Sequence, residues 1–198
     1  MDKTTNVIIS GIGGQGVITL ALVIAESAFK QGYDVKTAEV HGLAMRFGHI
    51  DVHVRFGKKV YSSLVPDGEA DLVISLEPLE ALRMSRYMNK NTKVVFDSAK
   101  LIPNEMHLRK QQYPEIKSIL KLIKKVSKHV RAVDASGVVK KYTGSLIQSN
   151  IYLLGHVTAQ KMIPLKKNFV LDGMKEVVSE KFFDTNKEIF ELGFKLKK

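Results

Sequence analysis

The sequence predicts an α/β fold, a Rossmann-like three-layer domain with a mixed, mostly parallel sheet. The first observation is a strand at residues 6–10 that runs into a glycine-rich turn and a helical pattern. The second is a series of short apolar segments that alternate with further helical patterns, as in parallel sheets covered by helices. The third is an alternating segment at 50–56, which predicts an antiparallel part.

The first unit is strand, turn, helix and strand within about 35 residues, a length typical of a βαβ unit. Apolar residues recur at helical spacing over 16–31, Gly32 ends the helix, and 34–40 form a second strand. Because a helix joins the two strands, we expect them to be parallel.

A β-hairpin is expected next. Alternating apolar residues at 50–56 are followed by Gly57-Lys58-Lys59 and by a second apolar segment at 60–64. On the strand around residues 50–56, His49, Asp51 and His53 alternate on the face opposite the apolar residues. A metal site there would need a further ligand, so an exposed strand face is expected and no metal site is predicted.

The remaining pattern is regular. Residues 71–76, 93–97 and 129–134 are predicted strands, and a helix beginning at Glu77-Pro78 extends to about residue 88. Further helices are predicted at 114–125, 135–141, 150–162, 169–181 and 185–196. Neither a repeat nor a linker divides the chain, so residues 1–198 are predicted to form a single domain.

Composition excludes several kinds of site. The chain has 198 residues and no cysteine, so it supplies no disulfide, catalytic thiol or thiolate-held iron–sulfur cluster. It contains no apolar run long enough to span a bilayer, and its first residues lack the features of a secretory leader. We therefore expect a cytoplasmic protein that does not bind membranes.

The net charge of +11 is unevenly distributed. Residues 1–99 contain 11 basic and 11 acidic residues, whereas residues 100–198 contain 20 and 9. Such a surplus attracts nucleic acid, an acidic protein or a polyphosphate-bearing cofactor, although it is also typical of a solvated helix face. The densest segment, from Lys100 to Arg131, has Tyr113 as its only aromatic residue, so nucleic-acid binding is not expected.

The glycine-rich turn is the main candidate for a binding site. Its residues are Gly11, Ile12, Gly13, Gly14, Gln15 and Gly16. Glycines at this spacing let backbone N–H groups approach an anion, toward which the following helix directs its positive end. The turn fits the dinucleotide pattern, with Glu39 placed to hold a ribose, although Gln15 adds an uncommitted amide. A self-contained NAD(P)-binding oxidoreductase and a turn that only packs strand against helix are the alternatives.

A second candidate segment follows the second strand. His41 and Arg46 lie within residues 41–48, which we expect at the same edge of the sheet as the glycine turn. Arg46 would supply a bidentate donor for phosphate or carboxylate, and His41 would titrate near neutrality. The cofactor-binding prediction therefore comprises the turn glycines, Gln15, His41 and Arg46.

Four segments of the sequence are typical of one family. They are GIGGQGV at residues 11–17, EVHGLA at 39–44, YSSLVPDGEAD at 61–71 and EPLEAL at 77–82. Together they resemble the gamma-type subunit of 2-oxoacid:ferredoxin oxidoreductases, including the small beta subunit of indolepyruvate ferredoxin oxidoreductase. The similarity continues more loosely to Gly193. Met45 and Phe47 depart from the pattern of many relatives.

The resemblance implies one subunit of an enzyme that decarboxylates a 2-oxoacid oxidatively to an acyl-CoA and reduces ferredoxin. It implies that thiamine diphosphate and iron–sulfur clusters are held by partner subunits, so this chain alone would bind no cofactor and supply no catalytic residue. It also implies that the glycine turn borders the shared active-site region or a subunit interface, where the phosphates of coenzyme A would be near. The substrate that the resemblance implies is pyruvate, 2-oxoglutarate, a branched-chain 2-oxoacid or an aryl 2-oxoacid such as indolepyruvate.

Overall fold

Six strands form one mixed sheet in the computed structural model, which describes residues 3–41, 48–101 and 112–195. The order across the sheet is β2-β3-β1-β4-β5-β6. The strands are β1 Thr5–Ile12, β2 Asp34–His41, β3 His49–Gly57, β4 Leu72–Ser75, β5 Lys93–Asp97 and β6 His129–Val133. The predicted α/β architecture with a mixed sheet is confirmed.

Helices cover both faces of the sheet. They are α1 Val17–Lys30, α2 Pro78–Arg83, α3 Ile116–Ile123, α4 Ala135–Thr143, α5 Ser149–Ala159, α6 Lys167–Val177 and α7 Glu180–Lys195. Helix α2 continues into a 3₁₀ turn, Met84–Tyr87. Two hydrophobic clusters result, one beneath α1 and α5–α7 and the other beneath α2 and α3. The molecule therefore has the three predicted layers.

Strand β3 lies between the first two strands of the chain. It pairs antiparallel with β1, from Thr5 opposite Phe56 to Ile12 opposite His49, and antiparallel with β2. Strands β1 and β2 therefore run in the same direction, as expected from the connecting helix, but they are not neighbours. Strand β1 pairs parallel with β4, and β4, β5 and β6 continue in parallel.

The predicted hairpin of 50–56 with 60–64 is wrong, because β3 finds both of its partners in β1 and β2. Residues 60–64 form no strand and are held instead by side chains. The Val60 N–H donates to Asp34 at 2.8 Å, and the Arg55 guanidinium donates to the carbonyls of Ser62 and Leu64 at 3.0 Å each. This segment therefore covers β3 rather than extending the sheet.

Glycines allow two helices to cross at very short distance. A Cβ on Gly155 of α5 would lie 2.1 Å from the Phe190 carbonyl oxygen, and a Cβ on Gly193 of α7 would lie 2.0 Å from the Tyr152 carbonyl oxygen. Real Cβ atoms do not approach so closely, so only glycine permits this crossing. The crossing buries Tyr152 and Phe190 almost completely.

The carboxyl ends of β1, β2, β4, β5 and β6 meet at one edge of the sheet, together with the start of β3. Open α/β sheets bind ligands at this edge. The glycine turn follows β1, α2 follows β4, and α4 follows β6. The fold therefore brings the predicted turn together with the polar residues at the beginnings of α2 and α4.

Candidate functional site

The Gln15 side chain closes the glycine loop, defined as residues 11–16. Its Oε1 accepts the Ile12 N–H at 2.8 Å, and its Nε2 donates to the Leu76 carbonyl oxygen at 2.8 Å. Its backbone N–H donates to the Ile12 carbonyl oxygen at 3.1 Å. The expectation that this amide is uncommitted is wrong, because it links the loop to the end of β4.

The loop requires glycine at specific positions. Gly14 and Gly16 have φ values of +96° and +79°, in the left-handed region that L side chains rarely adopt. A Cβ on Gly11 would lie 2.7 Å from Cγ2 of Val17, so this position has no room for a side chain. Gly14 is exposed, and no atom of the described residues lies within 4 Å of a Cβ built on it.

The loop presents backbone donors at the beginning of α1. In the described part of the chain, no residue accepts a hydrogen bond from the N–H of Gly14 or Gly16. Gly16 is the N-cap of α1, whose first N–H groups also lack intrahelical acceptors. Backbone donors at a helix N-terminus attract an anion, and the open space beside Gly14 gives one access.

Asn150 supports this loop from the second half of the chain. Its Nδ2 donates to the Gly16 carbonyl oxygen at 3.0 Å, and its Oδ1 accepts the Ile151 N–H at 2.8 Å. The residue is buried, 4% exposed. Sequence reasoning missed it, since a lone asparagine near the start of an apolar helix carries no signal of a partner 134 residues away.

The other predicted site residues are only partly described. The backbone of His41 ends β2 at the same edge as the loop, opposite Ile50 of β3, and Arg46 lies outside the described residues. Glu39 belongs to β2, two strands from β1. Two strand spacings place it about 10 Å across the sheet from β1, unlike the ribose-binding acid of a dinucleotide fold, which follows the neighbouring strand.

Glu77 caps helix α2 at this edge. Its carboxylate accepts the N–H groups of Leu79 and Glu80 at 2.7 and 3.1 Å, and it accepts the Tyr113 hydroxyl. Burial raises the pKa of Glu77, although these hydrogen bonds oppose the shift. Burial is the largest cause that raises the pKa of the Tyr113 hydroxyl, and its hydrogen bond to the Glu77 carboxylate is the second. Glu77 is therefore a side-chain N-cap of α2.

A second buried carboxyl group lies at the end of β5. Asp97 accepts the Ser136 N–H at 3.1 Å and the Ser136 hydroxyl, which fixes the start of α4. Burial raises its pKa against the opposing bonds from Ser136 and the Ala99 N–H. At the ends of β1 and β4, the Ser10 hydroxyl donates to Ser75 at 3.0 Å, and the Ser75 hydroxyl donates to the Glu77 carbonyl oxygen. Hydrogen bonds therefore connect neighbouring strand ends.

The expected exposure of the His49, Asp51 and His53 face is wrong. Asp51 is 3% exposed and His53 is fully buried, because residues 60–65 and the 3₁₀ turn cover this side of β3. Nε2 of His53 donates to Asp51 at 3.1 Å, while its Nδ1 accepts the Val65 N–H at 2.9 Å. The Tyr87 ring packs edge-on against His53.

His49 bridges two carboxylates. Its Nε2 lies 2.8 Å from Oδ1 of Asp51, and its Nδ1 contacts Oε2 of Glu80. The hydrogen bond to Asp51 is the largest of the causes that raise the pKa of His49 to about 9, and the hydrogen bond to Glu80 is the second. Burial raises the pKa of Asp51, but bonds from His49 and His53 outweigh burial and lower it to about 2.

Basic residues line a cavity at the opposite edge of the sheet. The cavity, of about 310 Å³, lies where β5 and β6 begin, and its lining includes Lys93, Lys128, His129 and Arg131. Lys93 donates to the carbonyls of Lys161 and Met162 beyond the end of α5. The described basic residues here are thus remote from the glycine loop.

The described ranges contain neither a metal-binding cluster nor a membrane-spanning helix. Among these residues, no group of three or more His, Asp or Glu side chains is arranged to hold a metal ion. None of their helices combines the length and apolar composition needed to cross a bilayer.

Comparisons with known proteins agree with one another. A sequence profile for pyruvate ferredoxin/flavodoxin oxidoreductase matches residues 6–196. The chain is 36% identical to indolepyruvate oxidoreductase subunit IorB of Archaeoglobus fulgidus, over 96% of this chain and 93% of that protein. It is 34% identical to the Pyrococcus horikoshii subunit of the same name, over 99% and 97% of the two chains.

Solved structures show the same fold. The gamma subunit of keto/oxoacid ferredoxin oxidoreductase from Geobacter sulfurreducens superposes with a TM-score of 0.68 and 20% identity, over 96% of each chain. The 2-oxoglutarate:ferredoxin oxidoreductase of Magnetococcus marinus, solved with 2-oxoglutarate, coenzyme A and succinyl-CoA, gives a TM-score of 0.72 and 18% identity; the match covers 98% of this chain and 31% of that one. The chain therefore belongs to the pyruvate ferredoxin/flavodoxin oxidoreductase family, as a gamma-type subunit of a 2-oxoacid oxidoreductase.

Proposed function

We propose that the glycine loop forms one wall of the active site of the assembled oxidoreductase, where it binds a phosphate of coenzyme A. The observation that carries this proposal is the pair of left-handed glycines, Gly14 and Gly16, in front of α1. In the described ranges, their N–H groups have no acceptor and no atom fills the space beside Gly14. A phosphate oxygen supplies the missing acceptors, and its charge is favoured by the helix dipole.

The roles within the loop differ. Gly13, Gly14 and Gly16 allow close approach to the anion, whereas Gly11 and Gln15 shape the loop and hold it against Leu76. Coenzyme A would supply the acyl-accepting thiol, while this chain's residues position its phosphates. We also predict that His41 and Arg46 add cationic donors to this edge of the sheet.

We further propose that partner subunits hold thiamine diphosphate and the iron–sulfur clusters and pass electrons to ferredoxin. The absence of cysteine from the sequence supports this division, because thiolates are the usual ligands of such clusters. The reaction is the oxidative decarboxylation of a 2-oxoacid to an acyl-CoA. The identity to indolepyruvate oxidoreductase subunits favours an aryl 2-oxoacid as substrate.

The basic second half is the proposed docking surface for the partner subunits. It carries the entire net charge of +11, and Lys121, Lys124 and Lys128 are exposed along α3 and the residues after it. Opposite charge steers association and suppresses incorrect partners. We also propose that residues 1–198 act as one domain in the cytoplasm.

Co-expression with the catalytic partner subunit tests this function. The purified complex is assayed for viologen reduction with 2-oxoacids and coenzyme A, and the partner alone is assayed in parallel. We expect activity to require this chain, and arylpyruvates to be preferred. Full activity of the partner alone would refute the role of the chain.

A second measurement tests the alternative that this chain is a self-contained NAD(P)-binding oxidoreductase. Isothermal calorimetry of the isolated chain with millimolar NAD(H) should show no binding, since Glu39 lies two strands from β1. Binding that the Glu39→Ala substitution weakens would instead favour a self-contained NAD(P)-dependent oxidoreductase.

A further inference from the structure

His49 connects the beginning of the glycine loop to β3 and to α2. It is the first residue of β3 and lies opposite Ile12, the last residue of β1 before the loop turns. The preceding residue, Gly48, accepts the Gly13 N–H at 3.0 Å. The position of the His49 backbone therefore determines where the loop begins.

The His49 side chain is in turn fixed by carboxylates from two elements. Asp51 belongs to β3, and Glu80 belongs to α2, which packs against β1, β4 and β5. Both ring nitrogens face a carboxylate oxygen. A neutral imidazole has only one N–H, so it would direct a lone pair at one of these carboxylates, whereas an imidazolium donates to both. The geometry therefore requires the protonated ring.

The two carboxylates are themselves held in place. Asp51 accepts from His53, whose other nitrogen is occupied by the Val65 N–H, and Glu80 accepts from Nε of Arg83 at 3.2 Å. Asp51 and Glu80 have side chains only 4% and 6% exposed, while that of His49 is 25% exposed. Buried carboxylates need a paired cation, so His49 and Arg83 together balance their two charges.

The loop is consequently held at two points. Gly13 is fixed through Gly48 and His49, and Gln15 is fixed through the Leu76 carbonyl oxygen, directly before the Glu77 cap of α2. Between these two points lies Gly14, the exposed position of the loop. A loop held at both ends presents its N–H groups without further ordering, which reduces the entropic cost of binding an anion.

We propose that His49 is a positioning residue for the glycine loop: its protonated side chain, held by Asp51 and Glu80, keeps the Gly48 carbonyl oxygen on the Gly13 N–H. The inference depends on the proposed function only for the identity of the anion; the positioning itself does not require any ligand. It predicts that loss of the His49 proton frees the Gly13 end of the loop.

The charged and titratable groups around His49 set the conditions for this effect. Those described are Asp51 and His53 on β3, Glu80 and Arg83 on α2, and Tyr87 in the 3₁₀ turn. Because the bonds to Asp51 and Glu80 raise the pKa of His49 to about 9, the ring stays protonated at neutral pH. Release of the loop is therefore expected only in alkaline solution.

Hydrogen exchange of the Gly13 amide tests the proposal on the isolated full-length chain. In the His49→Gln variant at neutral pH, the protection factor of Gly13 should fall about tenfold or more, the equivalent of losing one hydrogen bond. The His129→Gln variant is the matched control, because His129 is also the first residue of a strand but is exposed. Protection of Ile74 in the core of β4 reports whether the fold is intact.

The native chain supplies a second measurement that needs no substitution. The Gly13 amide should lose protection from exchange as pH rises through about 9, as measured by magnetisation transfer from water and corrected for base catalysis. The ring ¹⁵N shifts of His49 should change over the same pH range. Unchanged Gly13 protection in His49→Gln, or protection that persists after the ring has titrated, would overturn the proposal. Neither outcome depends on coenzyme A, so a failed proposal here is distinguishable from a failed proposed function.

Discussion

Replacing Gly16 by alanine tests the structural basis of the glycine loop. Gly16 has a φ of +79°, and a new Cβ would lie 2.5 Å from Nδ2 of Asn150. Left-handed backbone costs a non-glycine residue about 1–2 kcal/mol, partly offset by about 0.4–1 kcal/mol from the lower entropy of the unfolded chain. Backbone strain alone therefore costs about 1 kcal/mol.

The contact with Asn150 adds a second cost. To relieve this contact, the Asn150 side-chain amide must give up its 3.0 Å hydrogen bond to the Gly16 carbonyl oxygen. Asn150 is 4% exposed, so the abandoned donor stays desolvated, at a cost of about 1–3 kcal/mol. We expect Gly16→Ala to lower the free energy of unfolding by about 3 kcal/mol in total.

Urea unfolding followed by circular dichroism measures this change. Gly14→Ala is the matched control, because Gly14 is also left-handed but has nothing within 4 Å of a new Cβ; it should cost only about 1 kcal/mol. In an Asn150→Ala background, the cost of Gly16→Ala should fall to the same value. Equal costs at Gly14 and Gly16, or strict additivity with Asn150→Ala, would refute the reasoning.

Two further predictions concern the rest of the fold. Gly193→Ala should lower the free energy of unfolding by about 3 kcal/mol, because a Cβ 2.0 Å from the Tyr152 carbonyl oxygen forces α5 and α7 apart. A thermal midpoint equal to that of the native chain would contradict this prediction. Stability should also depend on pH. The pKa of His49 is raised to about 9, so its stabilisation is complete below about pH 6.5 and is lost as pH rises through 9. The pKa of Asp51 is lowered to about 2, so its contribution is present above about pH 4 and is lost as pH falls through 2. Urea titrations from pH 5 to 10 should show an alkaline decline of about 3 kcal/mol that His49→Gln removes, and an equal decline in that variant would count against the assignment.

Most of the fold could be predicted because its signals are local. Apolar periodicity located α1 and α3–α7, and the short apolar segments located β4–β6, each within a few residues. Strand pairing is not local. Nothing in the alternation of 50–56 indicates that β3 enters between β1 and β2, since residues 60–64 offered an adjacent partner of similar pattern.

The candidate site shows the same division. The glycines of the loop could be identified from spacing, because left-handed turns need them. The roles of Gln15 and Asn150 could not, since each depends on a carbonyl brought close by the tertiary fold. The burial of Asp51 and His53 was equally hidden, because polar residues alternating on a strand are usually exposed. Only their pairing with each other and with His49 makes this burial tolerable.

A charge placed in the glycine loop tests the proposed role of this loop in the active site most directly. Gly14→Asp and Gly14→Asn are nearly equal in shape, both tolerate left-handed backbone, and both point into open space. In the assembled complex, we expect Gly14→Asp to raise the KM for coenzyme A about tenfold or more over that of Gly14→Asn, with kcat little changed, because a carboxylate repels the phosphate by more than about 1.4 kcal/mol. Equal KM values for the two variants would contradict the assignment of this loop as a phosphate-binding wall.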